Sequence, residues 1–118
     1  MYGFIGSMRT RPGTRDDVIA ILLRGIEEHS AVGCLSYVVG VCPSDDNRIW
    51  VTEVWESAEH HKASLELPET KAAIATAMPM LTGEFTRQEV HVVGGLGLPT
   101  TPAVKQGDEY AAGGGSTP

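Results

Sequence analysis

Four segments of the chain carry apolar residues on one or both faces of a two-residue period, which predicts four β-strands over residues 2–11, 33–43, 48–56 and 85–93. In the second segment Leu35, Tyr37, Val39 and Val41 fall on one face, and Cys34, Val38 and Cys42 on the other. Because both faces are apolar, this strand is predicted to be buried on both sides. The third segment repeats the pattern after a polar turn, so the two are expected to form a central hairpin.

The first helix is predicted over residues 15–30, before Gly33. Its apolar positions recur at three- and four-residue spacing, which puts them on one helical face: Val18, Ile19, Leu22, Leu23 and Ile26. Thr14 stands where its hydroxyl would accept a bond from a free backbone N–H, and Asp17 suits the positive end of the helix.

Two more helical pieces are predicted between the third and fourth strands. Ser57 is placed to cap a helix that runs to about Leu67. Pro68 suits the first turn of a second helix, which runs to Met78 and stops at Pro79. A loop that contains Gly83 is predicted between this helix and the last strand.

The resulting order of strands and helices predicts an α+β, ferredoxin-like βαββαβ domain, with a four-stranded antiparallel sheet and its helices on one face. This domain is expected to span residues 1–93, followed by a Gly- and Pro-rich tail or dimer arm over 94–118. The helices leave one apolar sheet face uncovered. A homodimer with face-to-face sheets would cover it, and a monomer with a weakly apolar face is the alternative.

Composition narrows the set of partners. The formal net charge is -6 and the pI is near 5.1, and no Lys/Arg cluster is present, which argues against nucleic acid and anionic membranes as partners. No segment approaches the roughly 20 apolar residues that span a bilayer, and no signal peptide is evident, so a cytoplasmic location is expected.

Cys34 and Cys42 fall in one strand about 26 Å apart, too far for a disulfide, and no zinc spacing is present.

The segment from Arg48 to Ile74 resembles the signature region of the antibiotic biosynthesis monooxygenase family, whose members form dimeric α+β barrels. The likeness lies in a strand that ends in Glu-x-Trp and leads into a Ser-capped helix and then a Pro-led helix, at Glu53, Trp55, Ser57 and Pro68. The segment GCLSYVV, with Gly33, Cys34, Leu35 and Tyr37, resembles the family's second strand. The resemblance covers roughly residues 2–93.

This resemblance implies a homodimeric monooxygenase that oxidises phenolic or quinol-type aromatics with oxygen. It implies no metal and no flavin, since the electron-rich substrate supplies the electrons. Two alternatives remain open, a non-catalytic dimeric barrel that binds a small apolar metabolite and a related isomerase or cyclase. The chain has Ser64 and Glu69 where the family often has His. Haem degradation is disfavoured, because haem-degrading relatives have an Asn, a Trp and a His at three positions where this chain has Ser7, Ser64 and Ile74.

The candidate catalytic residues are His60 and Glu53. His60 is the first candidate for a base, because it stands four residues before Ser64 and would share a helical face with it, whereas an exposed helix His is the alternative. His61 would point about 100° away from it. Glu53 lies mid-strand among apolar neighbours, so it either pairs with Arg9 or Arg87 or faces the pocket.

The candidate substrate-binding residues are predicted to line a pocket between the helices and the sheet: Tyr37, Trp55, His61, Ser64 and Met78. Trp55 would form a wall on which a planar substrate stacks, and the Tyr37 hydroxyl would hold a substrate oxygen. Met78 would line a pliable apolar mouth. Ordinary packing in the core is the alternative for each of these three.

Overall fold

A computed structural model of the protein describes residues 1–99. The chain folds in the order β1 (Tyr2–Thr10), α1 (Arg15–Leu23), α2 (Ile26–Ala31), β2 (Cys34–Cys42), β3 (Asp45–Trp55), α3 (Ala58–Ser64), α4 (Pro68–Ala77) and β4 (Leu81–His91), with a 3₁₀ turn at Met78–Met80. The tail from residue 100 onward lies outside the described residues. Within residues 1–99, no helix has the length and apolar character needed to cross a membrane.

The four strands form one antiparallel sheet in the order β2-β3-β1-β4, which confirms the predicted ferredoxin-like fold. Strand β3 pairs with β1 on one side and with β2 on the other, so Glu53 lies opposite Phe4 and Tyr37. Directly paired residues share a face of the sheet. The side chains of Phe4, Tyr37 and Glu53 therefore point to the same side.

The helices cover that side of the sheet and enclose the main core. Val18 of α1 and Ile49 of β3 are fully buried, and Val51 and Leu81 pack with them. Their burial removes apolar surface from water, which is the main term that stabilises the domain. The same packing fixes helix α1 above the sheet.

The prediction of one continuous first helix is wrong. Helix α1 ends at Leu23, and α2 begins only after Gly25, whose φ of 84° is in the left-handed region that glycine adopts without strain. The predicted cap at Thr14 is also absent, since its hydroxyl donates a 2.7 Å hydrogen bond to the carbonyl oxygen of Arg11. The break changes the direction of the chain and sets α2 as a separate helix.

The other helix signals are confirmed, with small shifts of boundary. Ser57 caps α3 by accepting a 3.1 Å hydrogen bond from the backbone N–H of His60. Pro68 opens α4. The expectation that Gly83 lies in a loop is wrong, because strand β4 already begins at Leu81 and includes this residue.

The two cysteines are free thiols at opposite ends of β2. A bulge between Cys34 and Ser36 places Cys34 opposite Trp55, on the helix side, so the predicted alternation is wrong at this end of the strand. Burial raises the pKa of Cys34 to about 11. Cys34 is therefore a protonated core thiol.

The second face of the sheet is uncovered in a single copy of the chain. Its exposed apolar side chains are Ile5, Val38, Trp50 and Val90, of which Val38 is 57% exposed and Trp50 is 41% exposed. At one end of this face Arg9 forms ion pairs with Asp45 at 2.8 Å and with Glu84 at 2.7 Å. Arg9 is thus engaged on the face opposite to Glu53.

Candidate active site

A cavity of about 600 Å³ lies between the helices and the covered face of the sheet. Its floor comes from all four strands, one wall from α1 and α2, and the other wall from α3 and α4. Most of its surface is apolar. Its polar lining side chains include His29, Tyr37, Glu53 and His61, which come from four different elements, besides Arg24, Glu28 and Glu69. An apolar cavity with a few convergent polar groups is typical of a small-molecule site.

Trp55 lies at the centre of an aromatic cluster beside this cavity. Its side chain is 1% exposed, and the ring of His29 meets it edge-on with centroids 5.9 Å apart. The ring of His61 meets it in the same manner at 5.3 Å. The two histidines therefore come from separate helices but contact one tryptophan.

His29 is held in a defined orientation and tautomer. Its ring stacks on Tyr37 with centroids 5.6 Å apart and an interplanar angle of 24°. Its Nδ1 lies 2.8 Å from the carbonyl oxygen of Gly25, which accepts hydrogen bonds and cannot donate them. In the neutral ring Nδ1 therefore carries the hydrogen, and Nε2 carries the lone pair that accepts a proton.

Glu53 is a partly buried carboxyl group with one hydrogen bond. The indole N–H of Trp55 donates to its Oε1 at 2.8 Å. Burial raises the pKa of Glu53 from its ordinary value, and the bond from Trp55 and the nearby charges of His29 and Arg87 offset part of that rise. Within residues 1–99, its second oxygen has no hydrogen-bond donor.

Tyr37 lies directly opposite Glu53 in the neighbouring strand. Burial, and then the negative charge of Glu53, raise the pKa of its hydroxyl, so the group stays protonated. Among the described residues, no side chain or backbone group makes a hydrogen bond to this hydroxyl. Tyr37 thus brings an available O–H to the cavity.

His61 packs in a second aromatic group at the start of β1. Its ring stacks on Tyr2 with centroids 5.7 Å apart and meets Phe4 edge-on at 5.1 Å. Burial lowers the pKa of His61, and the positive charge of Arg87 lowers it further. Arg87 itself lies over the Phe4 ring, 3.9 Å from the centroid. His61 is therefore favoured in its neutral form.

Comparison with known proteins assigns the family. The sequence profile described as "Antibiotic biosynthesis monooxygenase" matches residues 1–76, which is more than half of the chain. The chain belongs to the antibiotic biosynthesis monooxygenase family. No functionally curated protein matches it.

Solved structures agree with this assignment. A provisionally assigned antibiotic biosynthesis monooxygenase from Chloroflexus aurantiacus is 49% identical, with a TM-score of 0.75, and the match covers 83% of this chain and 98% of that one. A protein of the same description from Caulobacter crescentus is 20% identical, with a TM-score of 0.71 and coverage of 79% and 90%. A third from Nitrosomonas europaea is 14% identical, with a TM-score of 0.69 and coverage of 81% and 99%. The last two support the fold alone.

In this family member, six of the seven residues named from the sequence line the cavity: Tyr37, Glu53, Trp55, His61, Ser64 and Met78. Glu53 faces the cavity. Of its two expected alternative partners, Arg9 lies on the other face of the sheet, and Arg87 lies over the Phe4 ring and pairs with Glu89 at 3.8 Å. Met78 is 49% exposed at the edge of the cavity. Ser64 is buried, and its hydroxyl donates a 2.6 Å bond to the carbonyl oxygen of His61.

His60 lies outside the cavity, which corrects the expectation that it shares a space with Ser64. Its Nδ1 is 2.6 Å from the hydroxyl oxygen of Ser57, the capping residue of α3. Its ring rests against Gly33, where an added Cβ would approach its Cδ2 to 2.7 Å. These contacts hold His60 against Ser57 and Gly33, away from the cavity. His61 and Ser64 face the cavity instead.

Trp55 also differs from its expected placement as a stacking wall. With 1% of its surface exposed, it has almost no area left for a planar ligand. It instead supports His29, His61 and Glu53, which reach the cavity in front of it.

His29 is the site residue that sequence reasoning missed. It stands seven residues after Leu22, which corresponds to two helical turns and thus to the apolar face of the predicted helix. A polar residue on that face was the available signal. The break at Gly25 then carries His29 over Tyr37, and this placement could not be seen in the spacing alone.

Proposed function

We propose that this protein is a cofactor-independent monooxygenase that oxidises a phenolic or quinol-type aromatic in the cavity between the helices and the sheet. The observation that carries the proposal is His29, whose Nδ1–H is held by the carbonyl oxygen of Gly25, so that Nε2 is the acceptor atom. A neutral imidazole in an apolar site is suited to remove a proton from a weak carbon or oxygen acid.

The shape and lining of the cavity favour an aromatic substrate. Its volume of about 600 Å³ is in the range of sites for drug-sized ligands. Tyr37 and the stacked ring of His29 offer aromatic surface at the floor. Ala73 and Ala77 of α4 and Met78 of the following 3₁₀ turn add apolar surface to the wall of the cavity. A flat molecule of two or three fused rings is the class of ligand that this space favours.

The proposed reaction balances without an added reductant. With an anthrone, His29 Nε2 takes a proton from the ring carbon, and the electron pair of that C–H bond enters the aromatic system as an enolate. The enolate reduces O₂. One oxygen atom bonds to the ring carbon as a new carbonyl, and the other leaves as water with the two hydrogens that the carbon loses. The substrate gives four electrons, and O₂ takes four.

Oxygen uptake tests this proposal. We expect the purified protein to accelerate uptake with anthrone or a naphthoquinol, and the rate to be unchanged by a chelator. His29→Gln should lower the rate about 100-fold, the usual contribution of a positioned base. His60→Gln is the matched comparison, because His60 lies outside the cavity. Uptake no faster than in buffer would overturn the proposal, and a loss in His60→Gln alone would return the role of base to His60.

We also propose that the active form is a homodimer joined through the uncovered sheet face. Ile5, Val38 and Trp50 are exposed there in one copy, and soluble proteins rarely leave such a patch bare. A second copy with the same face, related by a two-fold axis, would bury both patches at once.

A further inference from the structure

The cavity opens to solvent along strand β4. This strand is at the edge of the sheet, and residues 82–91 are all exposed. Phe85 lies opposite Met8 of β1, so the two side chains point to the same side of the sheet, and both line the cavity. The helices therefore leave this margin of the cavity floor uncovered.

The side chains around this opening are apolar and about half exposed. Ile74 and Met78 stand four residues apart at the C-terminal end of α4, so they share one face, and they are 46% and 49% exposed. Phe85 is 53% exposed, and Leu65, which directly follows α3, is 39% exposed. All four also line the cavity. These four residues form the apolar groove, which continues the cavity outward.

The charged residues that line the cavity lie at a different place. Arg24 follows α1, Glu28 is in α2, and Glu69 is in the first turn of α4. Glu69 and Ile74 are thus at opposite ends of α4. His29 is next to Glu28 in α2, so the proposed base belongs to the charged end. A ligand that fills the whole cavity has its polar part at this end and an apolar part in the groove.

A cluster of large apolar side chains in contact with water indicates an apolar binding partner. Soluble proteins rarely leave such a cluster bare, and grooves of this kind often bind ligands. Contact with an apolar group would remove the four side chains from water and gain free energy. The cavity of about 600 Å³ also has room for more than two fused rings. A substituent on the rings is the group that would use both features.

We infer that the apolar groove binds an alkyl chain, and that the substrate is an alkyl-substituted quinol whose rings lie beside His29. The inference rests on the proposed function and deepens it, because it names the substrate class for the same cavity. The chain lies away from the atoms that react, so it stabilises the bound substrate and the transition state equally. A longer chain therefore lowers KM and leaves kcat unchanged.

Binding of a homologous series tests the inference without any turnover. The probes are 2-alkyl-1,4-naphthoquinones with chains from methyl to pentyl, which are already oxidised, and calorimetry gives the Kd of each. Complete burial of one CH₂ group raises affinity about fourfold. Because the groove is open on one side, we expect Kd to fall about two- to fourfold for each added CH₂ group.

Two variants locate the chain. Ile74→Ser and Phe85→Thr remove apolar surface from the groove, so each should reduce the gain in affinity per CH₂ group and leave the Kd of the 2-methyl compound within about twofold. Leu23→Ser is the matched control, because Leu23 is also a helical residue that is 46% exposed but does not line the cavity. It should keep the full gain. Circular dichroism checks that each variant is folded.

Three results would overturn the groove as a chain-binding site. The first is a Kd that does not change with chain length in the wild type. The second is a gain per CH₂ group that is equal in the wild type, Ile74→Ser and Phe85→Thr. The third is a gain that is lost in Leu23→Ser but kept in the two groove variants, which would place the chain on helix α1.

The groove and the proposed function fail in distinguishable ways. A gain in affinity with chain length, without oxygen uptake by any quinol of the series, would remove the monooxygenase and keep a binding site for alkyl-substituted aromatics. Oxygen uptake with a KM that does not depend on chain length would keep the monooxygenase and overturn the groove.

Discussion

The indole N–H of Trp55 donates a 2.8 Å hydrogen bond to Oε1 of Glu53, two residues earlier on the same strand. Residues i and i+2 of a strand share one face, so the two side chains lie next to each other over the same part of the sheet. The bond links the buried tryptophan of the aromatic cluster to the one carboxyl group on the cavity floor. It therefore couples the packing of the cluster to the charge of the site.

Replacing Trp55 by Phe should test that coupling. The variant removes the donor that stabilises the ionised carboxylate, so we expect the pKa of Glu53 to rise further. The free energy of unfolding should fall by about 1–3 kcal/mol, because a buried group loses its partner. NMR titration of the labelled carboxyl and urea unfolding measure both effects. Trp50→Phe is the matched control on the other face, and equal titration curves in all three proteins would contradict the coupling.

The lowered pKa of His61 predicts a pH dependence of stability. Its folded-state pKa lies below the unfolded value of 6.5, so the unfolded chain binds more protons between these two values. Stability should therefore be fully present above pH 6.5 and be lost as the pH falls through the lower folded value. Urea unfolding across this range should show the decline in the wild type and a flatter profile in His61→Gln. A profile that is unchanged by His61→Gln but flattened by His60→Gln would show that His60, and not His61, causes the pH dependence.

The uncovered sheet face predicts the oligomeric state. Sedimentation at micromolar concentration should give the mass of two chains for the wild type. Trp50→Glu should give the mass of one, because it places a charge in the middle of the apolar patch, where Trp50 is 41% exposed. Leu23→Glu is the matched control, an exposed apolar residue on helix α1 at 46%. Dissociation by Leu23→Glu and not by Trp50→Glu would place the interface on the helical side.

Gly33 should be intolerant of a side chain. Its φ of 106° disfavours other residues, and a Cβ there would lie 2.7 Å from Cδ2 of His60. We expect Gly33→Ala to lower the free energy of unfolding by about 1–3 kcal/mol. Adding His60→Ala should recover only the steric part of that loss. Gly94→Ala, which meets nothing within 4 Å, is the control. Full recovery in the double variant would mean that backbone strain contributes nothing.

The sequence predicted more of the fold than of the site. The patterns of apolar residues identified all four strands, and the polar turn before β3 identified the β2–β3 hairpin. The predicted central position of this hairpin is wrong, because β2 is an edge strand and β3 pairs with β1 at the centre of the sheet. Ser57 and Pro68 marked two helix starts correctly. These signals depend only on a few neighbouring residues, so the packing of the rest of the chain does not change the elements that they predict. The first helix was predicted as one piece because the apolar spacing continues through Gly25, and only the positive φ of that residue breaks it.

The histidines show why the site was harder to predict. Residues three and four apart on a helix are equally near neighbours, so Ser64 could share a face with either His60 or His61. The spacing cannot decide between them. The rotation of α3 about its axis decides, and that rotation follows from the packing of His61 on Tyr2 and Phe4 and of His60 on Gly33.

By itself, the sequence determined the strands, most of the helix starts, the ferredoxin-like order and the likeness to one family, because periodicity and capping are local properties. Only the tertiary structure decided that His29 and His61 enter the cavity while His60 does not, and that Glu53 meets Trp55 and Tyr37. The reason is physical. The site joins side chains from four elements, and their meeting depends on how those elements rotate and pack against each other.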